Sequence, residues 1–274
     1  MTATPWRGDK YDVAHRFGEP VFRMGIADGM AAGFLAQVNY RLLVDEGLDW
    51  EAVTEASEYG LTIKDLNQRL FLPQRDETII DHLREVWDTT LNPRAIVFSR
   101  TINHAEEFAQ LLRERGWRRA EGLSTRQSKR ERNVLMSEFA DGRVPIITAV
   151  DILNEGVDVP DVNILCFLRV THSRRIFVQQ LGRGLRLGAA EKEHVTVLDF
   201  VSDIRRVAAT LNLRRELERL RDDEIERLRF PNSTFAFSRP EVGSLLEEWI
   251  RDAASLEDAD EEVRLQFPAG YSPD

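Results

Sequence analysis

Short apolar runs at regular intervals constrain this chain more than any other feature. Ala95-Ile96-Val97-Phe98, Val144 to Ala149 and Val162 to Leu168 are too short for buried helices. They also lack the strict apolar–polar alternation of a strand with one wet face. Such runs belong to strands covered on both faces, the environment of a parallel sheet. The segments between them carry helical spacing. Ala105, Phe108, Ala109, Leu111 and Leu112 follow the first run, with Asn103 and Glu106 at capping-box spacing and Gly116 as a stop. Ser128 and Glu131 repeat the capping box ahead of Val134, Leu135 and Phe139, which form a buried stripe up to Gly142. Residues 119–123 form a weaker strand, Ser173 to Leu181 a helix and His194 to Phe200 a strand. Strand–helix alternation with short loops predicts an α/β fold: parallel strands, helices on both faces, right-handed crossovers.

The flanks are less regular. Pro20 to Ile26 reads as a short strand, and Val38 to Val44 as a β-rich edge strand. Residues 45–74 hold short helices. Ile79, Ile80, Leu83, Val86 and Trp87 put one face of a helix over 75–91 against a core. A long charged helix runs from Asp203 to about Arg229, where Pro231 stops it, and another spans Glu241 to Ala254. The acidic tail from Glu257 is expected to be mobile.

With 274 residues, 42% of them hydrophobic and 31% charged, the chain can bury a real core. No apolar run approaches the ~20 residues of a membrane span. Its one cysteine, Cys166, excludes a disulfide framework within the chain, and the histidines show no metal-ligand spacing. The sequence reads as a cytoplasmic protein with no membrane partner and no metal site of its own. The net charge of −10 argues against a polyanionic partner, but its distribution argues for one. Residues 94–200 carry 17 basic and 14 acidic side chains, and both flanks are net acidic. A local basic surface can meet phosphates on an acidic protein.

Ligands of open parallel sheets bind off the carboxyl ends of the strands. The run 95–98 delivers Ser99, Arg100 and Thr101 there, at a helix N-terminus that favours anions. The strand at 119–123 delivers Ser124 and Arg126. The run 144–149 ends in Thr148 and leads to Asn154-Glu155-Gly156-Val157-Asp158. The run 162–168 delivers Arg169 and Thr171 and leads to Gln179-Gln180-Leu181-Gly182-Arg183-Gly184-Leu185-Arg186. Each string alone is ordinary turn or helix-end chemistry. Together, at matching strand ends, they suit a shared polyanion. Arg183 and Arg186 stand three apart, so they leave a helix close together with guanidinium forks shaped for phosphate oxygens.

Region 94–200 resembles the second RecA-like lobe of superfamily 2 helicases and translocases. Ile96-Val97-Phe98-Ser99-Arg100-Thr101 resembles motif IV of that family. Thr148-Ala149 through Glu155-Gly156-Val157-Asp158-Val159-Pro160 resembles motif V, and Gln179-x-x-Gly182-Arg183-x-x-Arg186 resembles motif VI. Phe17-Gly18-Glu19-Pro20 and Ala27-Asp28-Gly29 are similar to linker features of restriction-enzyme motor subunits. Thr2-Ala3-Thr4-Pro5 resembles motif III, which lies in the first lobe. The resemblance implies a RecA-like sheet with N-terminal linker elements and a C-terminal helical extension. Residues 1–45 would be the end of the first lobe and the linker, 46–200 the second lobe, 201–256 the helical extension and 257–274 the tail. It implies that Arg183 and Arg186 act as arginine fingers on ATP, with Gln179 positioning nucleotide or water. Gly156 and Asp158 would meet the nucleotide, and Ser99, Arg100, Thr101, Ser124, Arg126 and Thr148 the nucleic-acid backbone. The partner implied by the linker is double-stranded DNA, with the cofactor ATP and Mg²⁺.

A motor of this kind needs a Gly-x-x-x-x-Gly-Lys-[Ser/Thr] phosphate cradle. None of Lys10, Lys64, Lys129 and Lys192 follows a glycine, and no Walker-B acidic motif follows an apolar strand. The expectation is therefore the C-terminal part of a larger ATPase, inactive without its first lobe, with room for other subunits. A non-enzymatic module that binds nucleic acid or a partner stays open as the alternative.

Overall fold

A computed structural model describes residues 26–43, 61–64, 67, 76–150, 161–168, 194–200, 205, 208, 234–237 and 264–265. In chain order its elements are α1 (Ile26–Ala31), β1 (Gln37–Leu43), β2 (Leu61–Thr62), α2 (Asp76–Thr89), β3 (Ala95–Phe98), α3 (Ile102–Glu114), β4 (Ala120–Leu123), α4 (Lys129–Ala140), β5 (Ile146–Ala149), β6 (Ile164–Phe167), β7 (His194–Phe200), β8 (Thr234–Phe237) and β9 (Arg264–Leu265). Seven strands form one sheet in the order β4-β5-β3-β6-β7-β1-β8. Every pairing within it is parallel. The chain has the parallel α/β fold that the apolar runs predicted, in keeping with the RecA-like sheet that the resemblance implied.

Burial explains why these runs do not alternate. All four residues of β3, of β5 and of β6 are buried. Ala95, Val97, Ile146, Ile164, Cys166, Leu198 and Phe200 share one core with Ile79, Ile80, Leu83 and Val86 of α2 and Phe108 and Leu112 of α3. The alternate residues point to the opposite face, where Phe98 and Phe167 stack with ring centroids 5.0 Å apart. Tyr40 and Asp199, both buried, are hydrogen-bonded to each other between β1 and β7. Burial, helped by the Asp199 carboxylate, pushes the Cys166 thiol well above its ordinary value. Cys166 is a core filler, not a reactive thiol.

The helix ends are locally encoded, with one exception. Ser128 and Glu131 form a complete capping box on α4: Ser128 Oγ accepts from the Glu131 N–H at 3.2 Å, and the Ser128 N–H donates to Glu131 at 2.7 Å. Gly116, at φ +101°, ends α3. Its N–H donates to the Arg113 carbonyl and that of Trp117 to the Leu112 carbonyl, the paired bonds of a Schellman stop. The expected capping box of Asn103 and Glu106 does not form. Thr101 caps α3, its side chain accepting from the His104 N–H. Asn103 and Glu106 fall inside the helix, Asn103 two residues past the cap.

Other expectations also change. β1 is not an edge strand, because β8 pairs along its far side. β8 itself was not anticipated, although Thr234-Phe235-Ala236-Phe237 has strand composition. Nor was the antiparallel pair of β2 and β9, which draws Arg264 and Leu265 of the expected tail against Thr62 and Leu61. Val134 is 53% exposed, so the stripe of α4 narrows to Leu135 and Phe139. The segments 173–181, 241–254 and most of 203–229 lie outside the described residues.

The α4 cap generates an acid-side dependence. Hydrogen bonds from the hydroxyl and backbone N–H of Ser128 hold the Glu131 carboxylate below its ordinary value. A lowered folded-state pKa adds stability above the unfolded value, and that stability is lost as pH falls through the folded value. Glu131→Gln should remove this contribution. Urea melts of the two proteins should differ near neutrality and converge in acid; an unchanged gap down to low pH would refute the linkage.

Candidate functional site

Parallel register gathers the strand ends. Leu123 and Phe98 both sit beside Ala149, and Phe167 sits beside Phe98. The residues that follow, Ser124, Val150, Ser99 and Leu168, therefore line one edge of the sheet. Helix α3 starts at this edge, adding the positive end of its dipole.

The predicted backbone-contact residues occupy this edge unequally. Ser99 is buried; its N–H donates to the Ala149 carbonyl at 2.8 Å, and its hydroxyl has no hydrogen-bond partner among the described residues. Arg100 is exposed, and its Nε donates to the Leu168 carbonyl at 3.2 Å, which ties its side chain to the end of β6. Thr101 is exposed but engaged as the α3 cap. Thr148 is fully buried, and its hydroxyl donates to the Ala105 carbonyl at 2.6 Å. In this structure it seams β5 to α3 and faces away from solvent, contrary to the expected contact with nucleic acid.

Ser124 and Arg126 meet α3 through Asn103 and Glu106, the pair at capping-box spacing. Gly122 permits the approach: a Cβ there would lie 3.3 Å from Glu106 Cγ and 3.4 Å from its Cα. Glu106 Oε1 then accepts from Ser124 Oγ at 3.2 Å, and Oε2 accepts from Arg126 Nη1 at 2.6 Å. The other terminal nitrogen of Arg126 donates to Asn103 Oδ1. The loop is fixed from behind as well. The Ser124 N–H donates to Gln127 Oε1 at 3.1 Å, and Gln127 Nε2 donates to the Gly122 carbonyl at 2.9 Å. With side chains 56% and 40% exposed, the Arg126–Glu106 pair sits in high dielectric, where such pairs contribute about 0–1 kcal/mol. It orients Arg126 more than it stabilises the fold.

No short-range signal would have revealed this cluster. Glu106 and Arg126 are twenty positions apart, and the β3-β5-β4 order brings them together. Gly156, Asp158, Gln179, Arg183 and Arg186 all lie outside the described residues. Among the described residues, no group of three or more His, Cys, Asp or Glu could hold a metal ion, and no helix is long and apolar enough to cross a membrane.

Residues 75–188 match the helicase conserved C-terminal domain. This span contains β3 through β6 and the strand-end edge just described. The match assigns a helicase conserved C-terminal domain to this part of the chain. A 51.5 kDa protein of a Lactococcus phage is 33% identical over 189 residues, which cover 68% of this chain and 39% of that protein. The ATP-dependent RNA helicase eIF4A of Kluyveromyces lactis is 26% identical over 168 residues, 61% of this chain and 40% of the helicase. The matched regions thus span about two fifths of these relatives. Among solved structures, a fragment of an HsdR subunit of a type I restriction enzyme from Vibrio vulnificus superposes with a TM-score of 0.57 at 23% identity. That superposition covers 86% of this chain and 43% of the fragment. The DNA-bound type ISP restriction-modification enzyme LlaBIII superposes with a TM-score of 0.51 at 17% identity, over 91% of this chain and 19% of that enzyme. These two likenesses concern the fold.

Thr148→Val separates a structural from a contact role. It keeps the shape and removes the donor to Ala105, so stability should fall by about 1 kcal/mol in urea melts. The affinity for nucleic acid and its salt dependence should stay unchanged. A selective loss of nucleic-acid binding at unchanged stability would return Thr148 to the interface.

Proposed function

We propose that this chain is the second motor lobe of an ATP-dependent superfamily 2 helicase or DNA translocase. One observation carries this reading. The helicase C-terminal domain places hydroxyl and arginine side chains together at the carboxyl edge of a parallel sheet. In the proposed motor, Ser99, Arg100, Thr101, Ser124 and Arg126 lie along the sugar–phosphate backbone. Backbone contacts position a protein without reading sequence, as suits movement along any strand. Thr148 acts behind them by holding α3 against β5.

ATP with Mg²⁺ supplies the driving force when bound, and its phosphate cradle belongs to a first lobe whose motif this sequence does not contain. This chain contributes Arg183 and Arg186 to the γ-phosphate, Gln179 to the nucleotide or the attacking water, and Gly156 and Asp158 to the nucleotide. Closure of two lobes on ATP, repeated each cycle, steps the motor. In this organisation residues 1–45 hold the end of the first lobe and the linker, which joins the second lobe's sheet through β1. Residues 46–200 complete that lobe, 201–256 extend it, and 257–274 form the tail. The linker resemblance favours duplex DNA over RNA.

The test compares this chain with a version extended upstream to include a phosphate cradle. The 274-residue chain should show no ATP turnover, and the extended protein should show turnover stimulated by duplex DNA. In the extended protein, Arg183→Ala or Arg186→Ala should lower kcat by ~10³–10⁵ while nucleotide still binds. Turnover by the chain alone would overturn the division of labour. Stimulation by RNA and not by DNA would change the substrate class. Nucleic-acid binding without ATPase activity in the extended protein would favour a stand-alone binding module.

A further inference from the structure

We propose that Glu106 is an internal stand-in for a nucleic-acid phosphate, holding Ser124 and Arg126 ready and yielding them when the strand arrives. The inference rests on the reading of this edge as the nucleic-acid contact. It goes further by assigning functions to Glu106 and Asn103.

Three features of the geometry support it. First, the two oxygens of one carboxylate accept from two different donors, Ser124 Oγ at 3.2 Å and Arg126 Nη1 at 2.6 Å. A phosphodiester offers the same pattern: two non-bridging oxygens sharing one negative charge, which a guanidinium and a hydroxyl can bind together. Second, the donors keep their aim when the acceptor changes. Asn103 Oδ1 accepts from the other terminal nitrogen of Arg126, and Ser124 Oγ also accepts from the Arg126 backbone N–H at 3.3 Å. Third, the pair is built to open. Arg126 and Glu106 are 56% and 40% exposed, so water and salt screen their attraction. A buried pair could not be exchanged so cheaply.

Gly122 fixes which anion is displaced. With Glu106 Cα and Cγ 3.4 and 3.3 Å from the position of a Cβ at 122, α3 lies directly over β4. The carboxylate is thereby held against the Ser124 loop. A long arginine loses rotamer freedom on binding. Glu106 and Asn103 impose much of that order beforehand, so the phosphate meets an oriented guanidinium. When the phosphate leaves, Glu106 takes the donors back. A motor that must release its track in every cycle gains by a contact whose free state is already satisfied.

The test measures binding of the full chain to a short mixed-sequence DNA duplex across a salt series. The proteins are wild type, Glu106→Gln, Arg126→Ala, Ser124→Ala and the Glu106→Gln/Arg126→Ala double variant, each checked for an unchanged thermal melt. Glu106→Ala, which retains high helix propensity, is the second variant should Glu106→Gln melt early. Removing the competing charge should tighten binding about two- to five-fold at low salt, the range that an exposed pair can supply. The slope of log K against log salt should change little, because Arg126 neutralises the same phosphate in both proteins. Arg126→Ala should weaken binding, and in its background Glu106→Gln should have no effect. Weaker or unchanged binding by Glu106→Gln, with Arg126→Ala still weakening it, overturns the stand-in role but leaves the interface. Tightening that persists without Arg126 also overturns it, because the effect is then general charge. If neither Arg126→Ala nor Ser124→Ala alters binding, the reading of the edge fails and this proposal falls with it.

Discussion

A parallel strand needs cover on both of its faces, and the rest of this molecule follows from that need. β3, β5 and β6 contribute only buried residues, and α2 and α3 close over one face of them. Parallel pairing then leaves all the carboxyl ends on one edge, where each chain segment must turn toward its next helix. Polar side chains collect there because turns and caps require them, and the sheet sets them side by side. A binding edge is a geometric by-product of the core, which chemistry can then exploit.

The sequence showed those parts of this arrangement that depend on neighbours along the chain. Strand β3 was legible to the residue, because Ala95 to Phe98 is an apolar run between a proline-containing turn and a helix start. The α4 cap was legible because Ser128 and Glu131 satisfy each other locally. The α3 cap was misread for an instructive reason. Thr101, with Asn103 and Glu106 behind it, offers two competing starts, and the spacing rule cannot see that Glu106 is already engaged by Ser124 and Arg126 across the sheet. β1 and β8 were misjudged in the same way. Their partners are remote in sequence, so nothing nearby tells an edge from an interior position. Thr148 lies near the end of its run at the same edge, and nothing nearby in sequence tells that its hydroxyl bonds the Ala105 carbonyl of α3.

The acidic net charge ceases to be a paradox at this scale. A charge of −10 spread over 274 residues acts through screening beyond about 10 Å at ordinary ionic strength. In the proposed contact, what a phosphate would meet is the local set: Arg100 tied to Leu168, Arg126 between Glu106 and Asn103, and the N-terminus of α3. Both arginines are held by acceptors of the protein itself. In the proposed contact their order would cost little on binding, and the acceptors would keep the free edge from being a bare cationic surface on which any polyanion would collect.

The two proposed chemistries of the lobe differ in where their partners come from, and this difference makes coupling possible. At the edge, Ser124 and Arg126 are completed within the chain by Glu106 and Asn103. The motif VI arginines are proposed to be completed only by a nucleotide held on another lobe. Contacts that one body makes with itself cannot sense ATP; contacts that need two bodies can. A lobe of this kind would therefore change its hold on the strand only through its orientation relative to the first lobe. The linker and the sheet position of β1 would then be the mechanical connection between fuel and track. β1 lies between β7 and β8, inside the sheet. A pull transmitted through β1 would move the sheet as a unit and carry the edge residues with it.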